Sequence, residues 1–494
     1  MKTKIIGILI CLLLIATAVT TAGTVNVLKR ASPTQLTDVE KVSQLNNFAI
    51  GDDLDTFIID TMDEYHIPGL SASIVRNGSF LWTESYGYAN ISQSVYVQDT
   101  TLFILASIAK TIVATAIMQL YEQGFFDLDD PVNDYLPFQV QHPDYPSVDI
   151  TFHMLVTHSS GIKDNWDVMP FYTGDPPNPL GAWLEDYLTP GGQYYDPDKN
   201  FQIWEPGTSW DYCNVGAALV GYLVEVLSGI SFDEYCEINI FEPLDMDETA
   251  WFLADLDINH IAVPYSWNGY EYVPYSHWGV DFYPSGQLRT SVTQLRNFLL
   301  MYMNYGEYNS TIILDSDTVE LILSPQLPPP YEDMGILWYK DYISGRELWG
   351  HGGAALGCRT FMLFELETNI GVIVLTNGEP DYDGLAAIID ALFDFAETPL
   401  FDIEITGGLG VTAEITNIGL DNAIDVPYEI TVTGGLLGLI NKTINGTIDI
   451  EVGSTESISS GLLLGLGGIE ISVKVGVKEQ NAEGIQLFIF TIVQ

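Results

Sequence analysis

Basic residues are scarce in this sequence. Its 494 residues include 17 Lys and Arg against 66 Asp and Glu, which gives a formal net charge of −49 at pH 7. A surface that negative repels the phosphates of nucleic acids and of anionic lipids, so neither is expected as a partner. The hydrophobic share of 47% is that of a folded chain, and the length favours two or three domains.

Cysteine and metal-ligand patterns are sparse as well. The chain has four cysteines, Cys11, Cys213, Cys236 and Cys358. If Cys11 leaves with an N-terminal signal, the other three allow one pair and one free thiol but no disulfide framework. His142, His153 and His158 lie close in sequence, yet no HExxH pattern, P-loop or dinucleotide fingerprint occurs. We therefore expect neither a metal nor a cofactor.

Long apolar runs are confined to the N-terminus. Lys2 and Lys4 precede an apolar stretch at 5–16, and small residues follow at 20–22. This pattern predicts a signal peptide at 1–22, then a linker at 23–49, and a secreted or cell-surface protein. The alternative is an uncleaved membrane anchor through residues 5–28, which carry no charge. Export fits the N-x-[ST] sequons of a glycoprotein, at Asn77, Asn90, Asn309, Asn441 and Asn445.

Two patterns divide the remaining chain. From 50 to 397, β-patterned runs alternate with helical ones, and Asn77-Gly78 predicts a hairpin turn. Apolar periodicity predicts helices near 101–123, 214–228, 290–306 and 383–397. From 398 to 494, short strands with turn residues every eight to twelve positions predict a β-sandwich, which we interpret as a module for cell-surface contacts.

The apolar helix predicted at 101–123 contains Ser107 and Lys110, three positions apart. On a helix such residues are neighbours, and an amine in apolar surroundings can help to remove the proton of a serine hydroxyl. S-x-x-K also arises by chance. Here, however, a scarce cation lies among Ile104, Ile108 and Ile112, which favours a catalytic interpretation.

Two further segments offer reactive groups. Tyr212 and Asn214 precede a helix and, in an extended backbone, would face the same way. The alternative is a core tyrosine with Asn214 as a helix N-cap. His351 is followed by two glycines, the second being Gly353, which would let a ligand approach the backbone of an edge strand. The alternative there is a glycine-rich bulge beside a surface histidine.

The order and spacing of S-x-x-K, Y-x-N and H-x-G resemble the motifs of the serine β-lactamase and penicillin-binding protein superfamily. The likeness is strongest to its class C-like branch, which includes D-Ala-D-Ala carboxypeptidases, D-aminopeptidases and esterases. "ITFHMLVTHSSGI" is similar to that branch's "LLTHTSGL" signature, and the resemblance covers about residues 50–397. It implies an α+β fold, an antiparallel sheet flanked by helices with an inserted mostly helical region. The C-terminal all-β sandwich lies outside it.

The resemblance also implies roles for individual residues. Ser107 would be the nucleophile, Lys110 its proton partner and Tyr212 a base or proton relay. Asn214 would orient the substrate. The backbone N–H groups of Ser107 and Ala354, the latter next to Gly353, would form an oxyanion hole.

His351 departs from the superfamily pattern, because β-lactamases carry lysine there. A histidine would be neutral above about pH 6.5 unless its pKa is raised, so the usual cation for a substrate carboxylate would be missing. We therefore expect an exported serine hydrolase that acts through an acyl-enzyme on amide or ester bonds of a small peptide or ester. Peptidase (D-aminopeptidase- or carboxypeptidase-like) and esterase activities are favoured over a dedicated lactamase. The alternative is a non-catalytic peptide- or cell-surface-binding protein that uses the same groove, and the oligomeric state stays open.

Overall fold

The computed structural model describes residues 52–398, 401–419, 422–476 and 478–493. The predicted signal peptide, 1–22, and linker, 23–49, lie outside the described residues. The described chain divides into two compact units, one of residues 61–393 and the other of residues 52–60 together with 394–493. The first unit mixes helices with strands, whereas the C-terminal part of the second is all β.

The helices and strands are numbered in chain order. The helices are α1 Asp52–Glu64, α2 Ala109–Glu122, α3 Phe152–Val156, α4 Leu180–Leu188, α5 Asn214–Ser228, α6 Phe232–Cys236, α7 Val292–Met303, α8 Ser316–Ile322 and α9 Tyr382–Glu397. The strands of the first unit are β1 Gly69–Arg76, β2 Ser79–Asn90, β3 Val95–Tyr96, β4 Phe103–Ile104, β5 Tyr172–Thr173, β6 Tyr265–Trp267, β7 Tyr272–Pro274, β8 Trp278–Gly279, β9 Arg289–Thr290, β10 Glu307–Tyr308, β11 Thr311–Ile312, β12 Tyr339–Ile343, β13 Arg346–Ala355, β14 Cys358–Glu365 and β15 Ile370–Thr376. Those of the second are β16 Phe401–Thr406, β17 Thr412–Asn417, β18 Ala423–Gly434, β19 Ile440–Ile450, β20 Thr455–Ser459, β21 Gly465–Val475, β22 Lys478–Phe488 and β23 Phe490–Val493.

A seven-stranded antiparallel sheet organises the first unit, in the order β12-β13-β14-β15-β1-β2-β3. The predicted hairpin is confirmed, since Asn77 and Gly78 join β1 to β2 with φ of 49° and 74°, the left-handed pair that a two-residue turn requires. Pairing of β12 with β13 ends at Gly350, while β13 pairs with β14 as far as Ala355. The second half of β13 therefore has one side that β12 does not cover.

Helix α2 runs through the core of this unit, and its residues from Ala109 to Leu120 are all buried. It packs against α5. The predicted helix over 101–123 is wrong at its start, because Phe103 and Ile104 form β4 and pair with β9. A short apolar run gives no periodicity that separates a strand from a buried helix, and the partner strand lies far along the chain. The other predicted helices are present as α5, α7 and α9.

The C-terminal part of the second unit consists of two antiparallel sheets, β16-β17-β20 and β19-β18-β21-β22-β23. Both contribute to one apolar core, to which β17 gives Ala413 and Ile415 and β21 gives Ile471 and Val473. The predicted all-β sandwich is confirmed. The α+β class of the first unit, an antiparallel sheet with helices, is confirmed as well.

The described residues contain no disulfide and no single helix that could span a membrane. Cys213, Cys236 and Cys358 are all buried and free, so none of the three forms the pair that the sequence left open. No single described helix has both the length and the apolarity of a membrane span. Only Asn214–Ser228 and Phe232–Leu244, bent by 79°, reach both together.

Candidate active site

Ser107 lies on one turn of 3-10 helix, Ala106–Ile108, that leads into α2. Ala106 has φ of 47°, a left-handed conformation that costs a residue with a Cβ about 1–2 kcal/mol. Ala106 and Ile108 are buried, whereas Ser107 is partly exposed. This strained turn therefore presents the hydroxyl at the edge of an apolar core.

The Lys110 amine is fully buried and has three close oxygen neighbours. Its Nζ lies 3.2 Å from Ser107 Oγ. It donates to Asn214 Oδ1 at 2.7 Å and to the Ser285 carbonyl at 2.6 Å. The three acceptors match the three N–H bonds of a lysine ammonium group, and the bond to Ser107 Oγ is the longest of them. The predicted neighbours Ser107 and Lys110 thus meet in the structure.

Tyr212 lies beside the same amine. Lys110 Nζ is 4.8 Å from the centroid of the Tyr212 ring. The Tyr212 ring also packs near two histidine rings. The distance between ring centroids is 4.7 Å to His158 and 6.2 Å to His351. The structure therefore brings Tyr212 and His351 together, although 139 positions separate them in the sequence.

Asp164 holds the Tyr212–Asn214 segment in place. Its carboxylate accepts hydrogen bonds from the Asn214 backbone at 3.1 Å, the Asn214 side-chain amide at 2.7 Å and the Val215 backbone at 3.1 Å. With the amide nitrogen held by Asp164, the other end of the Asn214 amide points its oxygen at Lys110. Burial raises the pKa of Asp164 despite these hydrogen bonds, which lower it.

The sequence did not reveal Asp164, because it lies 50 positions before Asn214. The one available signal was a carboxylate two residues after the "THSSGI" segment, beyond Lys163. His158 was missed as part of the site as well, since its segment was used only as a family signature and His158 was weighed only as a metal ligand. Its Nδ1 accepts the backbone N–H of Cys213 at 3.3 Å.

The helix cap at α5 differs from the alternative considered for Asn214. Cys213 is the N-cap, and its sulfur accepts the Gly216 N–H at 3.2 Å. Asn214 is the first residue of the helix itself. Its amide is therefore available to Lys110 and Asp164.

Strand β13 packs against the turn that carries Ser107. A Cβ on Gly353 would lie 2.1 Å from the Leu105 carbonyl oxygen, so a residue larger than glycine cannot fit without movement. Thr360 on β14 donates to the same carbonyl at 2.8 Å and fixes the approach. Gly353 is thus required for close contact between strand and turn.

The backbone of β13 also sets the direction of the Ala354 N–H. Gly352 donates to the Tyr339 hydroxyl at 3.2 Å, on the β12 side. Along a strand, residues two apart direct their N–H groups to the same side. The Ala354 N–H therefore faces the side of β13 where pairing with β12 has ended, as an oxyanion donor must.

His351 is 2% exposed and stands on the same strand. Its Nδ1 lies 2.7 Å from the Gly352 carbonyl oxygen, which can only accept, so Nδ1 carries the proton and Nε2 is the bare nitrogen. Among the described residues, Nε2 has no hydrogen-bond partner. Burial, and then the nearby Lys110, lower the pKa of His351 to about 3, so the ring is neutral at ordinary pH.

Comparison with known proteins identifies the family of this chain. The Beta-lactamase family model matches residues 54–395. Protein flp of Staphylococcus aureus (strain MW2) is 24% identical over 339 residues, which cover 67% of this chain and 63% of that protein. This chain thus spans less than two thirds of the curated relative's length.

Solved structures share the fold. The octameric penicillin-binding protein homologue from Pyrococcus abyssi aligns with a TM-score of 0.56 and 22% identity, over 89% of this chain and 99% of that one. The D-amino acid amidase from Ochrobactrum anthropi SV3, in complex with L-phenylalanine, aligns with a TM-score of 0.55 and 21% identity, over 70% and 99%. The chain therefore belongs to the beta-lactamase family, within the superfamily of serine β-lactamases and penicillin-binding proteins, whose members are serine hydrolases.

Proposed function

We propose that this protein is a serine hydrolase that forms an acyl-enzyme on amide or ester bonds, with Ser107 as nucleophile. The observation that carries the proposal is the 3.2 Å separation of Ser107 Oγ from the buried Lys110 amine. Once Lys110 has given up one proton, Asn214 Oδ1 and the Ser285 carbonyl would still accept its two N–H bonds, and its lone pair would be left for the serine proton. An activated serine needs such a base within hydrogen-bond reach.

The reaction follows from this arrangement. Ser107 Oγ attacks the carbonyl carbon of the substrate while its proton passes to Lys110, with Tyr212 beside the amine as relay. The N–H groups of Ser107 and Ala354 donate to the oxyanion that develops. Collapse breaks the bond to the leaving amine or alcohol, which takes up the proton. Water then attacks the acyl-serine, and the acid is released as the serine proton is restored.

The neutral His351 points to a class of substrate. A lysine at this position would bind a carboxylate, whereas the bare Nε2 of His351 accepts a hydrogen bond from an N–H or O–H group. This favours a peptidase, D-aminopeptidase-like or amidase-like, or an esterase over a carboxylate-dependent lactamase. The fold neighbour from Ochrobactrum anthropi, a D-amino acid amidase by name, is in line with this class.

Covalent labelling tests the proposal. The protein is incubated with a fluorescent fluorophosphonate and, separately, a fluorescent penicillin, and the labelled peptide is mapped by mass spectrometry. Label on Ser107 is expected, and Ser107→Ala and Lys110→Ala should abolish it. Ser85→Ala and Lys199→Ala are the matched controls, since Lys199 is an exposed lysine paired with Asp167, and both should label normally.

A folded protein that takes no label at Ser107 would contradict the acyl-enzyme. It would support the alternative of a non-catalytic protein that binds peptides in the same groove. Circular dichroism of each variant separates loss of reactivity from loss of fold.

We also propose that the protein is exported as a secreted or cell-surface glycoprotein. The basic and apolar N-terminal regions support it, and the asparagines of four sequons are exposed, Asn77, Asn309, Asn441 and Asn445. The mass of the protein isolated from its own cells tests this. A mass that still includes residues 1–22 and no glycan would contradict both cleavage and glycosylation.

A further inference from the structure

One end of the C-terminal sandwich carries four apolar turns. They connect β16 to β17, β18 to β19, β20 to β21 and β22 to β23. Their contacts bring them together. The Gly435 N–H donates to the Gly468 carbonyl, Ser460 donates to that of Val411, and Gly408 bridges to Thr491. We call the four segments 405–411, 434–441, 460–468 and 485–493 the apolar end.

Large aliphatic and aromatic side chains at the apolar end face solvent. Leu437 is 88% exposed, Leu439 is 79% exposed and Phe488 is 71% exposed. Leu437 and Phe488 adopt left-handed backbone conformations, with φ of 60° and 55°. Around them a shallow recess is lined by apolar residues alone, among them Leu436, Leu464, Leu466 and Ile489. Contiguous exposed apolar surface of this kind marks a contact site.

The apolar end is free of charge in a highly charged chain. None of its four segments contains Asp, Glu, Lys, Arg or His, although the chain has 66 acidic and 17 basic residues. Lys442 follows the second segment directly, and its Nζ donates to the Leu462 carbonyl at 3.1 Å. Apolar turn tips with a lysine at their margin match an interface in which side chains enter hydrocarbon while the ammonium group stays among head groups.

We propose that the apolar end inserts into the surface of an electrically neutral lipid bilayer. Net charge selects this partner over a second copy of the chain, because two chains of −49 each would repel one another on approach. Anionic lipid is disfavoured for the same reason. A zwitterionic bilayer has no net charge and accepts leucine and phenylalanine side chains. The inference does not depend on the hydrolase activity, since it concerns only the second unit.

A spin label at the apolar end tests the proposal locally. The full chain carries Cys11→Ser together with Leu439→Cys, modified with a nitroxide. The remaining cysteines, Cys213, Cys236 and Cys358, are buried. Collision rates with oxygen and with a water-soluble nickel complex are measured with and without dioleoylphosphatidylcholine vesicles. The matched control places the label at Ile424→Cys, an isoleucine 71% exposed in the same unit.

The expected result is that vesicles raise the oxygen rate and lower the nickel rate at position 439 but leave both unchanged at 424. Because the readout is local, lipid binding by the N-terminal segment does not imitate it. No change at 439 overturns the proposal. Spin–spin broadening at 439 without lipid would show that a second copy of the chain contacts the apolar end. Low collision rates with both reagents at any protein dilution would show that another part of the same chain covers it. Either outcome also overturns it.

Charge substitutions give an independent measure. The triple variant Leu436→Asp, Leu439→Asp, Leu464→Asp is compared with the parent, both without spin label, for the amount of protein that sediments with the vesicles. We expect that amount to fall at least about tenfold. The matched triple Ile418→Asp, Ile424→Asp, Val452→Asp adds the same charge to other exposed apolar residues of that unit. Equal losses in the two triples would overturn the proposal, because charge alone would then explain the effect.

Discussion

Replacing Asp164 with asparagine tests whether the Asn214 amide is held for Lys110. The substitution keeps the shape of the side chain but turns one acceptor oxygen into a donor. Asp164 accepts from Asn214 Nδ2 at 2.7 Å and from two backbone N–H groups at 3.1 Å each. At least one of these donors will face the new NH2 group and lose its partner.

The magnitude follows from those bonds. Hydrogen bonds to a charged group are worth about 1.5–3 kcal/mol and neutral ones about 0.5–1.5 kcal/mol, while an unsatisfied buried donor costs about 1–3 kcal/mol. Part of this loss is offset, because asparagine is neutral and avoids the cost of burying a charge, the cost that raises the pKa of Asp164. We expect a destabilisation of about 2–4 kcal/mol. An Asn214 amide free to rotate would weaken its bond to Lys110, and we expect acylation to slow by about ten- to a hundredfold.

The assay is the rate of fluorophosphonate labelling at Ser107, measured with the urea unfolding curve of each variant. Asp175→Asn is the matched control, because Asp175 also accepts two backbone N–H groups, from Leu253 at 2.7 Å and Ala254 at 3.0 Å. It should be destabilised but label at the normal rate while folded. If folded Asp164→Asn labels as fast as the parent, the carboxylate does not position Asn214 and the reasoning is wrong.

Three other substitutions probe β13. Gly353→Ala should slow labelling at least about tenfold, because its methyl group would lie 2.1 Å from the Leu105 oxygen, while Gly468→Ala, which meets open space, should change neither labelling nor stability. Because burial, and then Lys110, lower the pKa of His351 to about 3 from about 6.5 when unfolded, its contribution to stability is complete above pH 6.5 and is lost as the pH falls toward 3. His351→Gln should therefore reduce the slope of unfolding free energy against pH between 6 and 4 by about 1.4 kcal/mol per pH unit, and an unchanged slope in urea titrations would contradict a neutral buried ring. His351→Lys should raise the rate of acylation by penicillin, relative to the rate with a neutral ester, by about tenfold or more. An unchanged ratio would show that the residue at this position does not bind the substrate carboxylate.

Local patterns predicted the elements that are determined by neighbours in sequence. Asn77-Gly78 favours only a tight turn, so the hairpin could be predicted from two residues. The periodic apolar residues of α5 and the left-handed Gly229 after it likewise determine where that helix ends. Ser107 and Lys110 were detectable for the same reason, since one helical turn relates them.

Contacts between distant segments escaped this reasoning. Ile104 forms a strand because Arg289 lies beside it, and nothing near Ile104 indicates that partner. Asp164 is one carboxylate in a chain rich in them, and its importance comes from three donors around Asn214. Cys213 was not considered as the cap of α5, for which Asn214 was the alternative offered, because a cysteine sulfur is an uncommon acceptor.

The left-handed Ala106 before Ser107 has a consequence for how this protein can change over evolutionary time. A glycine there would adopt the same conformation without the steric penalty. The methyl group, however, restricts the backbone that carries the Ser107 hydroxyl, and it also leaves the unfolded chain less freedom to lose on folding. At this one position, relief of backbone strain and a fixed direction for the hydroxyl therefore call for different residues, and the chain carries the one that fixes the hydroxyl.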